Sequence, residues 1–163
     1  MSNSLARSPW QVVLASGALI VLGVTYAASA LIEMSRSGDR LGIDAYLSEY
    51  QAISGFEAES AAVVHEWMTL AAVVFSAVSA VFIILGILLW QGVARPGVRI
   101  TATITTLIAF VGAFIPWAAA TSGENAVAQE AILVQLVFHG AAFIAVLLLW
   151  MPAVRNWAKE PVA

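Results

Sequence analysis

The chain has two histidines and no cysteine. Disulfides, thiolate metal sites, iron–sulfur clusters and thiol nucleophiles are therefore excluded, and imidazole is the one side chain left whose ordinary titration lies near neutrality. The first histidine stands in VVHEWMT, residues 63–69. His65 followed by Glu66 is the opening of a zinc-binding HExxH helix, whose second histidine has to fall at position 69 to share a face with the first. Position 69 is Thr69, so the motif is not completed. Adjacent residues on a helix point about 100° apart, so His65 and Glu66 do not face each other. Beside Trp67 they read as the outer headgroup level of a membrane helix, with proton handling or ligand contact as the functional alternative.

His139 lies deeper. It falls about twelve residues into an apolar stretch, or roughly 18 Å along a helix, near the middle of a bilayer. Gln135 sits one turn away on the same face, and Ser76, Thr25 and Tyr26 fall at comparable depth in other stretches. Polar side chains at that depth are costly against lipid, so they should turn inward and be hydrogen-bonded. Gln135, His139, Ser76 and Tyr26 are thus candidate ligand-binding residues, for a proton, a quinone headgroup or a small polar molecule. The competing reading is interhelical hydrogen bonding that fixes register.

A haem held between the two histidines fails on depth. His65 is 25 residues from Trp90 and His139 is 11 from Trp150, a difference of about 21 Å of helix rise. No metal site or cofactor is expected. No nucleophile elbow, P-loop or Rossmann fingerprint appears, and no basic stripe suggests nucleic acid. With no catalytic constellation, the chain reads as leaning away from an enzyme.

The elements that would carry these residues are set by composition. Hydrophobic residues make up 61% and charged residues 10%, where a soluble domain carries about a quarter charged. Four stretches, at about 10–33, 60–91, 98–121 and 127–151, are long enough to cross a hydrocarbon layer of about 30 Å. The first is too long for a signal-peptide core and reads as a retained span. Arg7, Arg95, Arg99, Arg155 and Lys159 fall on one side of these spans, with Arg36 and Arg40 on the other. The excess of basic residues places both termini in the cytoplasm of a bacterial inner membrane. Trp10, Trp90, Trp150 and Trp157 mark the inner interface, and Trp67 and Trp117 the outer one.

Between the first two spans, residues 34–59 carry Leu41, Ile43, Tyr46, Leu47, Tyr50 and Ile53 at helical spacing, which predicts a short amphipathic helix. Ser54-Gly-Phe-Glu57 has the form of a capping box. Ala94-Arg-Pro-Gly97 and Ser122-Gly-Glu-Asn125 predict tight turns, which force neighbouring spans antiparallel. The fold expected is an all-α integral membrane protein, a single domain over 1–163, with four transmembrane helices in an up-down antiparallel bundle and the amphipathic helix in the first outer loop. Small residues at four-residue spacing, including Gly23 and Ala27, Ala72, Ser76 and Ala80, and Ala109 and Ala113 beside Gly112, offer close-approach faces on the spans. The second and fourth spans end alike, in LLWQGVAR (88–95) and LLWMPAVR (148–155). An internal duplication and the shared demands of an interface both account for this.

Three functions fit. The first is a non-catalytic accessory or scaffold subunit of a larger membrane complex, with other membrane subunits or self-association as partners. The second is a small-ligand, lipid or quinone binding or transport module built on Gln135 and His139. The third is a redox or proton-transfer subunit using His139, His65 or Glu66. The lipid bilayer is the partner common to all three.

Overall fold

The computed structural model describes residues 8–38, 44, 48, 61–120 and 126–157, with the side chains of 61–64, 115–120 and 126–132 outside that description. Every element within it is helical. The helices are α1 (Trp10–Ser37), α2 (Ala61–Trp90), α3 (Pro96–Ala120), α4 (Ala126–Leu147, extended by a 3-10 turn Leu148–Trp150) and the short α5 (Pro152–Trp157). Four of them are long and apolar enough to cross a membrane, and the chain is that of a multi-pass membrane protein. The capping box at 54–57 and the outer turn at 122–125 lie outside the described residues. So does most of the amphipathic segment, of which Asp44 and Ser48 are described as helical and exposed.

α1 is the central element and packs on both α2 and α4, while α3 packs on α4. The α1–α2 contact is reciprocal. Ser16 Oγ donates to the Gly86 carbonyl at 2.7 Å, and Ser79 Oγ donates to the Gly23 carbonyl at 2.7 Å. A Cβ on Gly23 would lie 2.6 Å from Ile83 Cγ1, and a Cβ on Gly86 would lie 2.6 Å from Ile20 Cγ1. Both helices therefore present the same set, Ser-x-x-x-Ile-x-Leu-Gly, at 16–23 and 79–86. Laid antiparallel, the serine of each reaches the glycine carbonyl of the other while its isoleucine fills the space that glycine leaves. Lipid tails give no hydrophobic drive for helix pairing, so this close approach and its two hydrogen bonds are a main source of the attachment between the helices.

The likeness of α2 and α4 extends beyond their ends. Phe82, Leu85, Gly86 and Leu89 are buried on α2, and Ala142, Ala145, Val146 and Leu149 are buried sixty positions later on α4. Each set follows the i, i+3, i+4, i+7 spacing of one helix face. Leu22, Phe82, Leu89, Val146 and Leu149 meet in one core that also takes in Ala94 and Val154.

The two alike ends then part. After α2, Gly92 adopts φ +84°. Gly92 N–H donates to the Leu89 carbonyl and Val93 N–H to the Leu88 carbonyl, a Schellman stop. The turn thus falls at 91–95, earlier than the expected 94–97, and Pro96 opens α3 at the first helical position, where its missing N–H costs nothing. After α4, Met151 precedes a proline and is driven to ψ 148°, so the chain breaks and restarts as α5. Trp157 of α5 folds back over Gly92. α1 runs four residues past its expected end at 33, since nothing before Gly38 halts it. At 28 residues it is about 42 Å long, more than a hydrocarbon layer needs.

α3 and α4 are also antiparallel. Arg99, buried near the start of α3, donates to the Leu149 carbonyl at 3.4 Å and lies over the Trp150 ring, 5.4 Å from its centroid. Trp150 Nε1–H donates to Thr103 Oγ1 at 2.9 Å. The guanidinium thus sits where the last carbonyls of α4 concentrate partial negative charge. Further along, Phe110 stacks on Phe143 and covers Gly140. We call the end carrying Trp10, Trp90, Arg99 and Trp150 the basic end.

Candidate functional site

α2 and α3 share a tight turn at the basic end but touch only sparsely beyond it. A cleft of about 670 Å³ opens between them. One wall carries Val74, Ala77 and Val81 of α2, and the other carries Thr105, Ile108 and Gly112 of α3. Small residues keep the space open. A Cβ on Gly112 would meet nothing within 4 Å, in contrast to Gly23 and Gly86. The Ala109–Gly112–Ala113 stripe, expected to offer a close-approach face, lines this cleft.

The floor is made by α1 and α4. Tyr26 Oη lies 3.0 Å from His139 Nε2. His139 Nδ1 lies 2.7 Å from the Gln135 carbonyl, and since a carbonyl only accepts, Nδ1 carries the proton. The pair is reached by side-chain direction as well as depth. Tyr26 is 16 residues from Trp10, about 24 Å of rise, and His139 is 11 from Trp150, about 17 Å. Helical side chains lean toward their own N-terminus. Because α1 and α4 are antiparallel, Tyr26 leans toward the basic end and His139 away from it, and they meet at an intermediate depth.

Aromatic rings fix the geometry. Tyr26 stacks on Phe82 at 5.7 Å and is flanked by Phe75 at 5.8 Å. His139 stands edge-on to Tyr26 and to Phe138. His139 is 8% exposed and Tyr26 is half-buried, so the histidine is enclosed while the phenol edges the cleft.

Of the sequence candidates, Tyr26, Gln135 and His139 come together here. Gln135 binds His139 through its backbone, and its exposed side chain lines the cleft. Ser76 is exposed and donates to the Ala72 carbonyl of its own helix at 2.8 Å, on a different face. Ser79, three residues on, is the buried serine of α2 and belongs to the α1 contact rather than the cleft. Phe75, Phe82 and Phe138 were not singled out from sequence, because an aromatic among so many apolar residues carries no positional mark.

His65 and Glu66 are exposed and lie far along α2 from this floor. His65 Nδ1–H donates to the Ser37 carbonyl at 2.9 Å, tying the last turn of α1 to α2. The shallow depression beside it is lined by His65, Glu66, Thr69, Leu70 and Val73, all on one helix. Among the described residues, no three histidine or acidic side chains converge as metal ligands.

The floor can therefore hold a polar headgroup while the walls accept an apolar tail. No family model, curated protein or solved structure matches the chain.

Proposed function

We propose that this protein is a binding module for a neutral, lipid-like small molecule, which enters sideways from the bilayer between α2 and α3. One observation carries the reading: a hydrogen-bonded Tyr26–His139 pair lies at the floor of an otherwise apolar cleft of ligand size. A register-fixing pair needs no cleft above it, and a lipid-facing groove needs no polar floor. Their coincidence favours a ligand with one polar end.

The setting proposed is a bacterial inner membrane, with the basic end and both termini in the cytoplasm, where Arg95, Arg99 and Arg155 would stand. The four helices would form an up-down antiparallel bundle, with the amphipathic segment before α2 lying over the opposite end. Membership in a larger assembly, the leading expectation from sequence, is compatible with this. A partner helix seated in the cleft is then the alternative occupant.

The test is native mass spectrometry of the protein extracted in mild detergent. The wild type should carry one small amphiphile, and Gly112→Leu, whose side chain would project into the open cleft, should not. Equal loading of both forms, or an empty wild type, contradicts the reading. A stoichiometric partner chain in place of the amphiphile supports the accessory role.

A further inference from the structure

The hydrogen bonds at the cleft floor leave a definite polarity, which specifies the ligand's headgroup. An uncharged imidazole has one donor and one acceptor. His139 Nδ1–H is committed to the Gln135 carbonyl, so Nε2 is the acceptor and the Tyr26 hydroxyl must donate to it. The Tyr26 proton is thus spent inside the protein, and the oxygen has only lone-pair capacity left for the cleft.

The neighbouring hydroxyls are spent in the same way. Thr25 Oγ1 donates to the Val21 carbonyl at 2.9 Å, and Thr105 Oγ1 donates to the Thr101 carbonyl at 2.9 Å. Three hydroxyl oxygens that line the cleft therefore offer acceptors, on two of its sides. Ser29 and the Gln135 side chain complete the polar lining and are able to donate, while the bonds of His139 itself run to Tyr26 Oη and the Gln135 carbonyl.

We infer that the cleft selects amphiphiles whose headgroup donates a hydrogen bond, an alcohol or phenol, over those whose headgroup only accepts, an ester, ketone or quinone. This rests on the binding reading above and names the ligand class for that same site. An ammonium headgroup is disfavoured, because no acid stands among the lining residues to balance a charge removed from water. An acceptor-only headgroup would meet lone pairs at Tyr26 unless it broke the bond to His139. A hydroxyl leaves that bond intact and adds one to Tyr26 Oη.

The experiment uses the full chain in lipid nanodiscs and two photoreactive probes with the same diazirine-bearing C18 chain, one a primary alcohol and the other the methyl ester of the corresponding acid. Labelled peptides are quantified on α2 and α3. The alcohol should label the cleft walls about tenfold more efficiently than the ester, as expected for one well-made hydrogen bond in a dry site. Tyr26→Phe keeps the ring on Phe82 and Phe75 but frees the lone pair of His139 Nε2, so the alcohol preference should persist. His139→Leu releases the Tyr26 proton, so the hydroxyl can both donate and accept, and the alcohol preference should fall to near parity. Equal labelling by both probes in the wild type overturns the headgroup assignment while leaving the binding site standing. The full alcohol preference in His139→Leu, or an ester preference in Tyr26→Phe, also overturns it. Absence of cleft labelling by either probe removes the site itself.

Discussion

Tyr26 and His139, 113 residues apart in sequence, share a hydrogen bond of 3.0 Å that joins the first helix to the last long one. The contact between α1 and α4 is less extensive than that between α1 and α2, and this bond is a polar link across it. A double-mutant cycle on Tyr26→Phe and His139→Leu, read by reversible unfolding in mixed micelles, should give a coupling of about 0.5–1.5 kcal/mol, the range for interhelical hydrogen bonds in membranes. A coupling near zero would mean that the two side chains do not meet.

Gly86→Ala and Gly112→Ala should behave oppositely. The first places a methyl 2.6 Å from Ile20 Cγ1 and 3.1 Å from the Ser16 carbonyl, within a contact that is backbone on one side. It should destabilise by about 1–3 kcal/mol, the usual cost of overpacking. The second enters open space and removes a helix-interior glycine, so it should be neutral or stabilise by up to about 1 kcal/mol. Thermal unfolding of the two variants under one set of conditions checks the contrast. A similar cost at both positions would mean that α1 and α2 do not approach closely at Gly86.

Gly92 is held at φ +84°, a conformation that a Cβ makes costly. Gly92→Ala should cost about 1 kcal/mol and loosen the turn on which Trp157 packs, whereas Gly97→Ala, which meets nothing within 4 Å, should be silent. Comparing their unfolding midpoints tests whether the Schellman stop sets this connection.

Because the chain has no cysteine, single substitutions report topology without background. Asp44→Cys should react with a membrane-impermeant maleimide in intact cells, and Gly97→Cys only after permeabilisation; both positions are exposed. The reverse pattern would invert the proposed orientation.

Helix number was legible in the sequence because length and apolarity suffice to mark a span. Rise per residue is fixed, so the comparable positions of Tyr26 and His139 along their helices were legible as well. What was not legible is which face turns inward. In a soluble helix, polarity marks the outer face. Here the sides toward lipid and toward protein are both apolar, so Ser76 and Ser79 look interchangeable although only Ser79 is buried. The decisive signal was present in another form, the Ser-x-x-x-Ile-x-Leu-Gly set repeated at 16–23 and 79–86, which pairs two helices through their shared pattern. The cleft left a fainter mark. Ala109, Gly112 and Ala113 are as fit for a close helix contact as for an open space, and only the sparse contact between α2 and α3 separates the two.

The central claim is that the space between α2 and α3 holds a small amphiphile with its polar end on Tyr26. A cryo-electron microscopy map of the protein in native-lipid nanodiscs tests it most directly. The expected result is elongated density along the cleft, starting within hydrogen-bonding distance of Tyr26 Oη and running between Ala77 and Gly112 toward lipid. A map in which α2 and α3 close on each other, or in which a helix of another chain fills the cleft, would contradict it.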